Sequence, residues 1–123
     1  MLSRVADAFY WTGRYLERAE HTARLVDVNT YLSLDSTPES SGRHWHRVFD
    51  SLLVAMPDGG TSDVAALVHH LALDRGNKDS IASSIHAARE NMRQIREQIS
   101  ADLWERINRL YWTVRRTADD ASW

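Results

Sequence analysis

From Ser3 to about Leu34 the chain has no proline and one glycine, Gly13, while Val5, Phe9, Leu16, Ala19, Ala23, Val26 and Thr30 recur at helical steps. Residues three and four apart share one face of a helix, so the segment predicts a single long helix with one apolar stripe. At about 1.5 Å per residue it would run on the order of 45 Å, the spine of a helical bundle. Ser3 is a candidate N-cap, with Asp7 close enough to favour the positive end of the helix dipole.

The rest of the chain supplies helices to pack along that spine. Asp35 to Gly42 carries Pro38, Gly42 and four Ser or Thr side chains, residues that compete with helix, and predicts a break. A second helix then runs from about Arg43 to Met56 on Trp45, Val48, Phe49, Leu52, Leu53 and Met56, and Pro57-Asp58-Gly59-Gly60 ends it. Thr61 or Ser62 can cap a third, shorter helix that buries Val64, Leu67, Val68 and Leu71, and Asp74-Arg75-Gly76-Asn77 stops it. Ser80 caps the fourth, whose stripe Ile81, Ile85, Ala88, Met92, Ile95 and Ile99 is the cleanest periodicity in the chain. Ser100-Ala101-Asp102 opens a fifth, carried by Leu103, Trp104, Ile107, Leu110, Tyr111 and Val114 to about Thr117, either joined or kinked to the fourth. No segment alternates as a strand does, so the fold class is all-α: a bundle of about five helices in one domain.

Composition removes several kinds of chemistry. With no cysteine among its 123 residues, the chain offers no disulfide framework, thiolate nucleophile or Cys-based zinc site. Its apolar runs fall far short of the ~20 residues a membrane span needs, and the N-terminus lacks a signal peptide's apolar centre, which points to the cytoplasm and away from a membrane partner. Fifteen basic and seventeen acidic side chains are mixed along the chain, so bulk charge favours no nucleic acid.

The histidines do not fall at metal-ligand spacing. A di-iron bundle needs Glu-x-x-His on two helices and a zincin needs His-Glu-x-x-His, and neither is present. No Gly-rich loop follows a strand, and no nucleophile elbow is found. Neither a metal nor another cofactor is expected.

What stands out is a charged stripe on the first helix. At about 100° per residue, Glu17, Glu20, Arg24 and Asp27 fall within an arc of roughly 80°, with Tyr10, Gly13, Arg14 and Tyr31 close by. The centroid of the apolar face through Val5, Phe9, Leu16, Ala19 and Ala23 lies beside that arc, which predicts Glu20 and Asp27 at the shoulder of the core. Two readings follow. The charges can be ordinary i,i+3 and i,i+4 pairs worth about 0.2 to 0.5 kcal/mol each, or they can converge with another helix to bind a charged ligand. The fourth helix offers Arg89, Glu90, Asn91 and Arg96, of which Arg89 and Arg96 flank the isoleucine stripe. An arginine fork suits carboxylate or phosphate, and it suits Glu17, Glu20 or Asp27 across the interface equally well.

The opening Met1-Leu2-Ser3-Arg4-Val5-Ala6-Asp7, then Tyr10-Trp11 and Gly13-Arg14-Tyr15-Leu16-Glu17-Arg18-Ala19-Glu20, then Thr22-Ala23-Arg24-Leu25, resembles the alpha-E domain family of bacterial proteins. Asp74-Arg75, Ser80-Ile81, Ala87-Ala88-Arg89-Glu90-Asn91, Arg96, and Trp104-Glu105 with Asn108 follow the same pattern in order. Lys78 stands where the family pattern has proline. Family members are longer, so the chain is similar to their N-terminal half.

The resemblance implies an all-helical accessory module beside ATP-grasp or transglutaminase-like proteins, assisting ATP-dependent amide or peptide-bond formation. Residue by residue it points to Arg14, Glu17, Arg18, Glu20, Arg24, Asp27, Arg89, Glu90, Asn91 and Arg96. Two alternatives stand beside that reading: an enzyme using Glu17 or Glu20 as general base on an amine or amide, and a structural homodimer in which a second copy supplies the missing half.

Overall fold

The computed structural model describes residues 2–57 and 63–121, and helices are the sole regular structure among them. Helix α1 spans Leu2–Ser33, so Ser3 lies in its first turn and is not its cap. Helix α2 spans Pro38–Leu52, α3 Val64–Ala72, α4 Ile81–Gln94 and α5 Ala101–Ala121, with a 3₁₀ turn at Arg96–Gln98. No described helix is long and apolar enough to cross a membrane.

Helix α2 begins five residues earlier than the break predicted. Proline is tolerated at a helix's first position, where its missing N–H would have had no partner, and Thr37 supplies the cap, its Oγ1 accepting from the Ser40 amide at 3.1 Å. The break therefore shrinks to the few residues before Pro38. Helix α3 is capped by Asp63, whose carboxylate accepts from the Ala65 amide at 3.1 Å. Thr61 and Ser62, the caps expected there, lie outside the described residues, as do Asp58, Gly59 and Gly60 of the expected stop.

Helix α4 ends at Gln94, short of the isoleucine stripe that predicted it. Ile95 leaves helical geometry and Ile99 is extended, yet both stay buried, because the 3₁₀ turn keeps them facing the same core. A new cap follows: the Ser100 hydroxyl accepts from the Leu103 amide at 3.1 Å and starts α5. The joint between the fourth and fifth helices is a break.

Two cores share α1. Trp45, Val48, Phe49, Leu67 and Leu71 form the first, against Leu25 and Val26 near the C-terminal end of α1. Ser33 fastens it. Its Oγ accepts from the Trp45 indole N–H at 3.0 Å, donates to the Asn29 carbonyl at 2.8 Å and meets the Ser41 hydroxyl at 3.0 Å, which uses its one donor and two acceptor sites.

The second core joins α1, α4 and α5. Ile95, Met92 and Ala88 pack with Val5, Ala8, Trp104 and Ile107, while Ile85 packs with Ala19 and Tyr111. Rising numbers on α4 thus meet falling numbers on α1 and α5, so both run antiparallel to α4 and parallel to each other. Arg4 reaching the Gln94 carbonyl at 3.4 Å fits that direction. The α1–α4 seam is the most extensive in the fold, and small side chains are buried along it beside Met92 and Ile95: Thr12, Ala19 and Thr22 on α1, and Ser84 and Ala88 on α4, whereas Ala82 turns towards Tyr111 and Val114 of α5.

Ala88 has no exposed surface, so a larger side chain there must push helices apart. Ala88→Leu is expected to destabilise by about 1 to 3 kcal/mol in urea unfolding. Ala6→Leu, on the exposed side of α1, should stay within about 0.5 kcal/mol of the parent.

Candidate functional site

The stripe on α1 is more exposed than its sequence suggested. The side chains of Glu17, Glu20 and Arg24 are 74, 67 and 70% exposed, and Asp27 is exposed as well, so Glu20 and Asp27 do not sit at the core's shoulder. The buried face of α1 runs instead through Ala8, Thr12, Ala19, Thr22 and Val26, and Phe9 and Ala23 are exposed. At 100° per residue that turns the core roughly 140° away from the stripe. Glu20 and Arg24 form an ion pair, and Arg14 lies 3.7 Å from Glu17, the i,i+4 and i,i+3 partners that spacing alone predicts.

Arg89 and Arg96 do not lie opposite the stripe. Both turn towards α5. Arg89 Nε donates to Asn108 Oδ1 at 2.6 Å, and its guanidinium lies 4.5 Å from the Tyr111 ring centroid and 5.5 Å from that of Trp104. Arg96 lies 5.5 Å from Trp104 as well. Aromatic faces on α5 engage both cations, and Arg89 has in addition the Asn108 amide and, at 3.7 Å, the Glu90 carboxylate. Glu90 takes both Arg93 hydrogen bonds, at 2.9 and 3.1 Å, and Asn91 is half-buried beside it. The α1 and α4 charges therefore belong to two separate places.

What α1 does meet is the turn between α3 and α4. Arg18 NH1 donates to Asp79 Oδ1 at 2.8 Å. That turn is locked by its own side chains: Asn77 Nδ2 donates to the His70 carbonyl at 2.9 Å, and Asn77 Oδ1 accepts from the Asp79 amide at 3.1 Å. Asp74 accepts from the Gly76 amide at 2.9 Å, which holds the preceding turn. Asp79 is thus presented to Arg18 on a rigid support.

The Arg18–Asp79 pair divides two open depressions. One, of about 610 Å³, is lined by Arg14, Glu17, Arg18, His21 and Asp79 with the end of α2. The other, of about 500 Å³, is lined by Tyr15, Arg18, Arg75, Lys78, Asp79 and Ser83. Together they form a groove with cations on both sides of a carboxylate. Of the residues the sequence singled out, Arg14, Glu17 and Arg18 line it. Arg75, Lys78 and Asp79 are contributed by a turn whose approach to α1 is a tertiary event that no local spacing reveals.

Leu53, at the rim of the larger depression, is the one non-glycine with positive φ among the described residues, at 57°, and it is 91% exposed. Its amide closes α2 by donating to the Asp50 carbonyl at 3.2 Å. The sequence disguises it as a core leucine on the α2 stripe. A left-handed conformation costs an L-residue roughly 1 to 2 kcal/mol, and exposure at 91% leaves little burial to offset it. Leu53→Gly is expected to raise stability by about 1 kcal/mol, read as a higher Tm.

Arg93's hydrogen bonds hold the Glu90 carboxyl below its ordinary value of 4.5. A depressed carboxyl stabilises the fold fully above that ordinary value, and the contribution is lost as pH falls through the lower, folded value. In a carbon-detected NMR titration the Glu90 midpoint should fall below 4.5, and Arg93→Ala should move it upward.

Comparison with known proteins places these features in a family. No functionally curated protein and no solved structure matches the chain. A family described as a predicted alpha-helical domain with a conserved ER motif matches residues 1–122. The chain has two Glu-Arg dipeptides, Glu17-Arg18 and Glu105-Arg106, and the first lines the groove just described. With the match running almost from end to end, the chain belongs to the Alpha-E family.

Proposed function

We propose that this protein is a helical binding module whose groove at Glu17 and Arg18 holds a small ligand carrying both an anionic and a cationic group, such as a peptide or amino-acid derivative. The observation that carries this reading is the sharing of Arg18 and Asp79 by two adjoining depressions with opposite charges on their walls. Arg14 and Arg18 supply planar donors for a carboxylate or phosphate, with Arg75 and Lys78 beyond them. Glu17 and Asp79 supply acceptors for an ammonium group. Leu53 offers the ligand's apolar part a surface at the rim.

We place the module, on the strength of the alpha-E resemblance, as an accessory to ATP-dependent amide or peptide-bond formation, the ATP chemistry belonging to an ATP-grasp partner. Catalysis by Glu17 or Glu20 draws less support. Both carboxylates stand in open solvent, whereas a general base of that kind works in an enclosed cleft.

The test is an NMR titration of the ¹⁵N-labelled protein with a panel of free amino acids and dipeptides bearing acidic side chains. Amide shifts should cluster at Arg14 to Thr22 and at Asp79, and Arg18→Ala should weaken binding about 10- to 100-fold, the worth of one charged hydrogen bond. Shifts confined to other surfaces would refute the groove. The partner is tested separately: charge reversal at both Glu17 and Glu20 should abolish co-purification with an ATP-grasp protein while helicity by circular dichroism is retained.

A further inference from the structure

The ion pair that divides the groove is only half used. Arg18 donates to Asp79 Oδ1 through Nη1 at 2.8 Å, one of the five N–H groups a guanidinium carries. Among the described residues, neither the rest of that guanidinium nor Asp79 Oδ2 has another hydrogen-bond partner. The two side chains are 49 and 27% exposed, shielded enough to strengthen a charged contact yet open to a ligand. Asp79 is held in place by the turn that Asn77 locks. An anion receptor and a cation receptor thus stand 2.8 Å apart, both bordering both depressions and both with bonding capacity left over.

That spacing selects a ligand whose own two charges are equally close. In an α-amino acid the ammonium and the carboxylate hang from one carbon, and bonds of about 1.5 Å put the nitrogen and the nearer oxygen roughly 3 Å apart. Its carboxylate can take Arg18 donors while its ammonium meets Asp79, so that four charges alternate around a ring. A peptide separates its terminal charges by up to about 3.6 Å more with each residue, and its planar trans amide resists folding them back. A dicarboxylate without an ammonium leaves Asp79 facing an anion. Glu17 is a poorer receptor for the ammonium, because Arg14 lies 3.7 Å from it and it borders one depression alone.

The two depressions differ in what they add to this pair. The larger sets Arg14 against Glu17 beside the apolar Leu52, Leu53 and Val54. The smaller adds Arg75 and Lys78 with no second carboxylate, so two cations there stand unopposed by its own lining. Arg75 also borders Asp119 in a separate pocket, whereas Lys78 belongs to this depression and has no ion-pair partner among the described residues. A ligand side chain directed there is favoured when it ends in an anion. Building on the ligand reading above, we propose that the groove binds a free α-amino acid with an acidic side chain. Its α-carboxylate lies on Arg18, its α-ammonium on Asp79 and its side-chain carboxylate beside Arg75 and Lys78.

The experiment is calorimetric titration of the full chain with L-glutamate and three analogues, with ¹⁵N amide shifts locating the site. L-Glutamate should bind at least about tenfold tighter than N-acetyl-L-glutamate and glutarate, which lack the ammonium, and than L-glutamine, which lacks the side-chain charge, each losing one charged contact. Asp79→Asn should erase the preference over N-acetyl-L-glutamate and keep the preference over L-glutamine. Lys78→Gln should do the reverse, and as a change at an exposed turn residue it keeps the test available if Asp79→Asn does not fold. A merely structural role for either residue would weaken all four compounds alike and so overturn its assignment. Groove shifts with acidic dipeptides but not with L-glutamate, or equal affinity for L-glutamate and its N-acetyl form, would overturn this inference and leave the broader ligand reading standing. No shift at Arg14 to Thr22 or at Asp79 with any compound would overturn both.

Discussion

The close seam between α1 and α4 is the constraint on which the rest of the structure depends. Thr12, Ala19 and Thr22 of α1 and Ser84 and Ala88 of α4 are buried there, beside the larger Leu16, Met92 and Ile95. Because Ala8, Thr12, Ala19 and Thr22 point inward, the charged side chains of α1 are turned outward, and that rotation decides which surfaces exist. Arg14, Glu17 and Arg18 face the α3–α4 turn, Phe9 and Leu16 face α5, and Glu20, Arg24 and Asp27 are left in solvent. Dispersion between closely approached small residues adds here to the burial of Leu16, Met92 and Ile95.

That same seam explains which parts of the molecule were legible in the sequence. The all-helical class, the long first helix, the Ser80 and Ser100 caps and the two clusters of large apolar residues follow from periodicity and capping chemistry. The orientation of α1 does not. A stripe drawn through its most apolar residues selects Phe9 and Ala23, which are exposed, and overlooks Thr12 and Thr22, which are buried. Threonine looks polar to a hydropathy pattern, yet its bulk suits a close helix crossing. Pro38 and Gly42 look like punctuation yet lie inside α2, because a first-turn proline and an adjacent cap suit a helix start.

The candidate groove was legible in half. Arg14, Glu17 and Arg18 are neighbours on one helix, and spacing brings them together. Asp79, Arg75 and Lys78 reach them through a turn fixed by Asn77 and Asp74, whose hydrogen bonds run to the Gly76 and Asp79 amides nearby and to the His70 carbonyl at the end of α3. The expectation that Arg89 and Arg96 would complete the first-helix charges failed for a related reason: Trp104 and Tyr111 offer those guanidinium groups aromatic faces on α5. Competition between an aromatic and a carboxylate partner is settled by which helix lies nearer, and that is a property of the whole fold.

The division of α1 between two cores also sets an order of assembly. The core of Trp45, Phe49, Leu67 and Leu71 closes on Leu25 and Val26 through connections of modest length, so it forms from a stretch of chain that is nearly local. The other core must bring Val5, Ala8 and Leu16 to Ala88, Ile95 and Ile107, across most of the chain, at a larger loss of chain entropy. In the native fold the C-terminal part of α1 is tied to the nearer core through Ser33, and the remaining length of that helix is a continuous extension of it. With one end of α1 held by the nearer core, closing the farther one costs less chain entropy than the separation of Val5 from Ile107 alone would demand.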